Sequence, residues 1–180
     1  TTVILLVGAM AFYYLAERKG AYAGLDEGGR LMAAAFQAVT PRTAGFDTVS
    51  QSALGGASIV LTMILMFIGA SPGSTGGGVK TTTIFVAFSA AFRYPEAGSS
   101  IPMGSRQLNP PLLVRAFSIL VKAMALVLFS WLALACSEAN ALRSGATSLG
   151  SLLFEAVSAF GTVGLSLGIT SSLGAASKII

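Results

Sequence analysis

The sequence has no histidine, a single cysteine and only 10% charged residues. Without histidine, zinc binding and imidazole acid–base catalysis lose their usual ligand and base. Cys136 alone supports neither a disulfide framework nor a metal cluster, since both need partners. The net charge of +4 is small and scattered, which excludes a nucleic-acid groove. Charge is far scarcer than the roughly 25% of a soluble domain. It is also unevenly spread: no charged residue lies between Asp47 and Lys80, or between Glu155 and Lys178. What fills those gaps is apolar, and the chain is 54% hydrophobic with a mean hydropathy of +0.79. Apolar runs approaching the ~20 residues of a bilayer span point to an integral, multi-pass protein of the cell membrane. The opening Thr1-Thr2-Val3-Ile4 lacks a start Met and the basic region of a signal peptide. The last apolar run stops at Ile180, too soon to cross, so a piece of a longer chain is expected.

Along the chain, apolar and polar stretches recur in a fixed order. Residues 1–16 read as the tail of a spanning helix, followed by a polar loop over 17–29. Arg30 to Val39 is apolar but only about 15 Å long as a helix, half of a hydrocarbon core of roughly 30 Å. A re-entrant pore helix with an extended return fits that length. A second long apolar stretch covers 53–92, a Pro-containing polar linker 93–111, and another span 112–137. A polar loop at 138–147 then leads into a second short helix at 148–160. The fold class expected is an all-α membrane protein of repeated helix–pore loop–helix units, with re-entrant pore helices and one broken spanning helix. Residues 1–92 form one unit with a truncated first helix, 93–111 a cytoplasmic linker, and 112–180 a second unit with a truncated last helix.

The repeat is also written in residues. Phe36-Gln37-Ala38-Val39 matches Phe154-Glu155-Ala156-Val157, about 118 residues later. With one residue inserted, Thr43-Ala44-Gly45-Phe46 falls on Thr162-Val163-Gly164-Leu165. Potassium-channel filters use Thr-Val-Gly-Tyr-Gly loops, whose carbonyl oxygens replace the ion's water shell. Non-helical backbone at membrane depth survives only when buried in protein or lining a watery cavity. The negative end of a pore helix dipole would favour a cation beside such a loop, and Gly45 and Gly164 permit torsions other residues resist. The alternative is that both loops are plain turns with Thr and Gly as helix breakers.

Residues 69–83 carry the second signal: Gly-Ala-Ser-Pro-Gly-Ser-Thr-Gly-Gly-Gly-Val-Lys-Thr-Thr-Thr. An unbroken helix over 53–92 would be about 60 Å long, and this glycine density forbids it. Two half-helices joined by a small flexible loop at membrane depth are expected. Gly73, Ser74, Thr75, Gly76, Gly77, Gly78 and Lys80 are candidate gate residues beneath the filter. Lys80 either repels cations or holds the loop through backbone carbonyls; the sequence does not choose. The alternative places this stretch in solution as a connector. A phosphate-binding G-x-x-x-x-G-K-[ST] motif is excluded, because Ser74 and Val79 occupy both required glycine positions.

These phrases resemble the Trk/Ktr/HKT superfamily of potassium transporters, most nearly the membrane subunits of its Ktr branch. The resemblance covers the whole chain, which looks like the third and fourth of four helix–pore–helix repeats around one pore. It implies that Gly45 and Gly164 are filter glycines and that 69–80 is an intramembrane gating loop. It implies K⁺ as the transported ion, with Na⁺ as a candidate coupling ion and no covalently bound cofactor. It also implies a homodimer in membrane lipid, docked on a cytoplasmic nucleotide-binding ring with RCK domains (KtrA-like), and neither an enzyme nor a nucleic-acid binder. The family's orientation, rather than a count of basic residues, places 93–111 in the cytoplasm. Other readings stay open: a two-span potassium channel, a secondary transporter using the glycine loop as an anion site, or a non-transporting scaffold subunit. Lys122 is expected to snorkel to the interface rather than act as a functional intramembrane charge, and Glu155 to brace its pore helix by hydrogen bonding or to meet extracellular water rather than coordinate an ion.

Overall fold

The computed structural model describes residues 2–92, 101–103, 106–108 and 110–179. Among the described residues seven α-helices follow in order: α1 (Thr2–Glu17), α2 (Glu27–Val39), α3 (Gly56–Phe67), α4 (Thr81–Phe92), α5 (Pro110–Ser137), α6 (Ala139–Arg143) and α7 (Leu149–Phe160), with a 3₁₀ turn at Gln51–Ala53. A small antiparallel hairpin, β1 (Ile101–Met103) and β2 (Arg106–Leu108), pairs Ile101 with Leu108 inside the expected linker. Residues 93–100, 104, 105 and 109 of that linker lie outside the described residues. The architecture is therefore helical as expected, with this hairpin added.

Local chemistry sets the element ends. α2 starts before the expected Arg30 because Asp26 caps it, accepting the Gly29 N–H at 3.1 Å, with Glu27 in the first turn beside the positive end of the dipole. The Gly28-Gly29 pair is helical in consequence, its low propensity outweighed by the cap. α7 opens on a capping box in which Ser148 and Ser151 satisfy each other's backbone N–H groups. The long apolar stretch at 53–92 breaks into α3 and α4, with residues 68–80 non-helical between them. Each half-helix has 12 residues, about 18 Å. α5 has 28 residues, about 42 Å. Among the described residues it is the one helix long and apolar enough to cross a membrane. α6 was not expected; it occupies the polar loop between α5 and α7.

Packing divides into two similar groupings. Ala9 and Tyr13 of α1, Ala33, Ala34 and Ala38 of α2, and Leu65 of α3 share one core with Tyr22 and Leu54. Leu134 of α5 packs with Leu152 and Ala156 of α7 and with Leu173. A third cluster joins the halves, setting Met66 of α3 against Phe154 and Val157 of α7 and against Val127, Val163 and Leu165. Phe67 and Phe160, the last residues of α3 and α7, stack with ring centroids 5.6 Å apart. Small residues on α2 let it approach α1 closely, and a polar line ties α1 to α3. Thr62 donates to the Ser58 carbonyl at 2.8 Å, which leaves the Tyr13 hydroxyl to donate to Thr62 Oγ1, also at 2.8 Å. All three residues are buried, so each polar group needs the other.

Candidate functional site: two Thr-x-Gly loops over a glycine-rich segment

α2 and α7 each run straight into a Thr-x-Gly loop, and the two loops share one backbone pattern. The Ala44 N–H returns to the Thr40 carbonyl at 3.2 Å, and the Val163 N–H to the equivalent Ser158 carbonyl at 3.0 Å. Thr43 (φ 76°) and Thr162 (φ 52°) both adopt left-handed torsions, and they are the two such non-glycine residues among those described. Gly45 (φ 75°) and Gly164 (φ 88°) follow with the same hand. A β-branched threonine at positive φ is strained by roughly 1–3 kcal/mol, and that strain recurs at the two positions the Thr-x-Gly phrases align. The two C-terminal helix ends add partial negative charge beside both loops.

The loops meet. A Cβ placed on Gly45 would lie 2.2 Å from the Val163 carbonyl oxygen, so this glycine is what lets the first loop touch the second. Gly164 has nothing within 4 Å of such a Cβ and faces open space. Val163 and Leu165 are buried, whereas Phe46 is 73% exposed, so the repeat-related Phe46 and Leu165 sit in different surroundings. A cleft of about 410 Å³ runs along the second loop, lined by Glu155, Thr162, Gly164, Ser166 and Thr170 among others.

The glycine-rich segment lies against both loops. A Cβ on Gly76 would meet Thr43 Oγ1 and Cγ2 at 2.8 Å, and one on Gly77 would meet Thr162 Oγ1 at 2.7 Å. The Gly77 N–H donates to Thr162 Oγ1 at 2.9 Å. Only glycine permits this approach. Gly69 is packed tighter still on the Gly77 carbonyl, and Gly78 on the Gly69 backbone and the Met66 carbonyl, which holds the segment's two ends together against the end of α3. Gly73, Ser74 and Thr75 form its exposed tip, Gly73 with φ 85°, and Gly78 (φ 73°) turns the chain back toward α4. Lys80 donates from Nζ to the Ser74 carbonyl at 3.2 Å and to the Gly76 carbonyl at 2.5 Å. Of the two expected roles, the geometry is that of a lysine holding the loop.

Behind the loops, the repeat-related Gln37 and Glu155 each brace a returning segment. Gln37 and Gln51, both buried, exchange amide hydrogen bonds at 2.8 and 3.1 Å. Glu155 accepts from the Ser166 hydroxyl at 2.5 Å and from Thr170 at 3.1 Å, the bracing role expected of it. Thr40, fully buried, donates to the Phe46 carbonyl. Sequence reasoning passed over Arg42. Its Nη2 donates to the Gly69 carbonyl at 3.3 Å, while Nη1 is buried without a partner. The available signal was a guanidinium inside an apolar phrase, one residue before Thr43. Among the described residues no cluster of His, Cys, Asp or Glu could hold a metal.

The TrkH family, described as cation transport protein, matches residues 1–180. The chain is 36% identical over 177 residues to Ktr system potassium uptake protein D of Bacillus subtilis, covering 98% of this chain and 38% of that protein. It is 34% identical over 181 residues to Ktr system potassium uptake protein B of Vibrio alginolyticus, covering 100% of this chain and 38% of that one. Potassium/sodium uptake protein NtpJ of Enterococcus hirae is 32% identical over 182 residues, covering 99% and 39%. The chain thus spans less than two-fifths of the length of these relatives. It belongs to the TrkH family of cation transport proteins.

Proposed function

We propose that this chain forms part of a gated pore for potassium uptake across the cell membrane. The backbone carbonyls of Thr43–Gly45 and Thr162–Gly164 coordinate the ion in this reading, with Phe46 and Leu165 closing the two segments, and 69–80 is the gate. The observation that carries it is the pairing of the two loops at Gly45 and Val163, with Gly76 and Gly77 wedged against Thr43 and Thr162. Relatives named for potassium uptake, one of them for potassium and sodium, supply the ion. Residues 1–92 and 112–180 then act as two helix–pore–helix units joined by a cytoplasmic linker, in a multi-pass protein with further units elsewhere in the full chain. A homodimer docked on a cytoplasmic RCK-domain ring fits the "system" in the relatives' names. Such a ring would act by withdrawing the glycine segment. Neither loop has the second glycine of a channel filter, Asp47 and Ser166 standing there, so fewer ordered ion sites than in a channel are expected.

The test is deletion of 73–78 in the full-length protein, assayed as K⁺ uptake by cells lacking other K⁺ uptake. Flux should rise and lose its dependence on the regulatory partner, because the barrier is gone while both Thr-x-Gly loops remain. A folded deletion variant with wild-type flux and regulation makes the segment a connector.

A further inference from the structure

Each half of the chain repeats one contact that belongs to neither the loops nor the glycine segment. Glu17, the last residue of α1, accepts the Gly55 N–H at 2.9 Å and the Ser58 hydroxyl. Glu138, just past α5, accepts the Gly174 N–H at 2.8 Å and the Ser177 hydroxyl. The donors lie in matching phrases, Leu54-Gly55-Gly56-Ala57-Ser58 and Leu173-Gly174-Ala175-Ala176-Ser177. Leu54 and Leu173 are both buried. In each phrase the glycine leaves room for the carboxylate: a Cβ would lie 3.2 Å from Glu17 Oε1 at Gly55 and 3.3 Å from Glu138 Oε1 at Gly174. Two carboxylates with the same donor pair at the same spacing are not a chance surface contact.

The chemistry explains the choice of glutamate. Gly55 is the N-cap of α3 and has no side chain with which to cap it. The first-turn N–H groups of a helix lack internal partners and favour a negative group. Glu17 serves as that cap from about 38 residues upstream, and it is itself buried, at 2% exposure. In the first half, the segment carrying Thr43–Gly45 leaves α2 and ends at Gly55. In the second, the segment carrying Thr162–Gly164 leaves α7 and reaches Gly174. The glutamate therefore fixes the far end of each loop-bearing segment to the C-terminal end of α1 in the first half and of α5 in the second.

We infer that Glu17 and Glu138 are positioning residues for ion selection: each clamps a Gly-x-x-Ser phrase, so that the Thr-x-Gly loop upstream is held at both ends. This rests on the proposed pore, since it assigns the clamp a consequence for which ion passes. The test uses the full-length protein in cells, measuring K⁺ and Na⁺ uptake separately for wild type, Glu17→Gln, Glu138→Gln and Gly174→Ala. The glutamines keep the shape but set an amide N–H against a backbone N–H or hydroxyl. The alanine pushes a methyl toward Glu138. Glu27→Gln, an exposed carboxylate in the first turn of α2, controls for surface charge.

The K⁺ to Na⁺ uptake ratio should fall about threefold or more in the clamp variants, the lower end of what one lost hydrogen bond contributes, and stay at wild type in Glu27→Gln. Should buried Glu17→Gln fail to reach the membrane, the less buried pair Glu138→Gln and Gly174→Ala decides. An unchanged ratio in that pair, an equal loss of K⁺ and Na⁺ uptake, or the same fall in Glu27→Gln overturns the inference. A wild-type protein with no K⁺ preference overturns the pore reading instead.

Discussion

Gly45 and Gly164 are equivalent in sequence and share a left-handed backbone, yet their surroundings differ. Adding a Cβ at either position costs on the order of 1 kcal/mol in torsional strain. Gly45 alone also meets the Val163 carbonyl, at 2.2 Å from the added Cβ. Gly45→Ala should therefore lower the melting temperature in detergent clearly more than Gly164→Ala. Gly45→Ala should also weaken discrimination of K⁺ over Na⁺ more. Equal effects would mean that the two loops do not touch. Lys80 and Arg42 show what a sequence conceals at this scale. Both cations bond loop carbonyls, Lys80 to Ser74 and Gly76 and Arg42 to Gly69. Composition marks a charge as unusual in an apolar stretch; only the folded backbone shows which carbonyls it reaches.

At the scale of elements, the break between α3 and α4 was legible because five glycines and a proline within residues 69–78 cannot hold a helix. The start of α2 was less so, because Gly28-Gly29 argue for a loop and the Asp26 cap overrides them. The Leu-Gly-x-Ala-Ser phrases were readable as a third repeat, but they carry no chemistry until a distant carboxylate is placed on them. Glu138 makes one such placement titratable. Its carboxyl is held below the usual glutamate value of 4.5, first by the Ser177 hydroxyl and then by the Gly174 N–H. A carboxyl depressed by folding stabilises the fold above its unfolded value and loses that contribution as pH falls through the lower folded value. Between neutral pH and the acid side of the glutamate range, the melting temperature of wild type should therefore fall more than that of Glu138→Gln. Parallel pH profiles for the two proteins would remove the clamp's charge from the account.

For the whole molecule, two half-units with their own cores meet through Met66, Phe67, Phe160 and Val163, and that meeting brings the two Thr-x-Gly loops together. The order of helices and the two Thr-x-Gly loops was visible in sequence because helix length and motif agree. The loop-to-loop contact was not visible, since it depends on the stacking of helix ends far apart in the chain. The central claim is that Thr43–Gly45 and Thr162–Gly164 jointly coordinate the transported ion. Anomalous diffraction from Tl⁺, a K⁺ surrogate, in crystals of the full-length protein addresses it directly. The account predicts a Tl⁺ peak between these two backbone segments, displaced by excess K⁺. A protein that transports Tl⁺ yet binds it only elsewhere, with none at these segments, would contradict it.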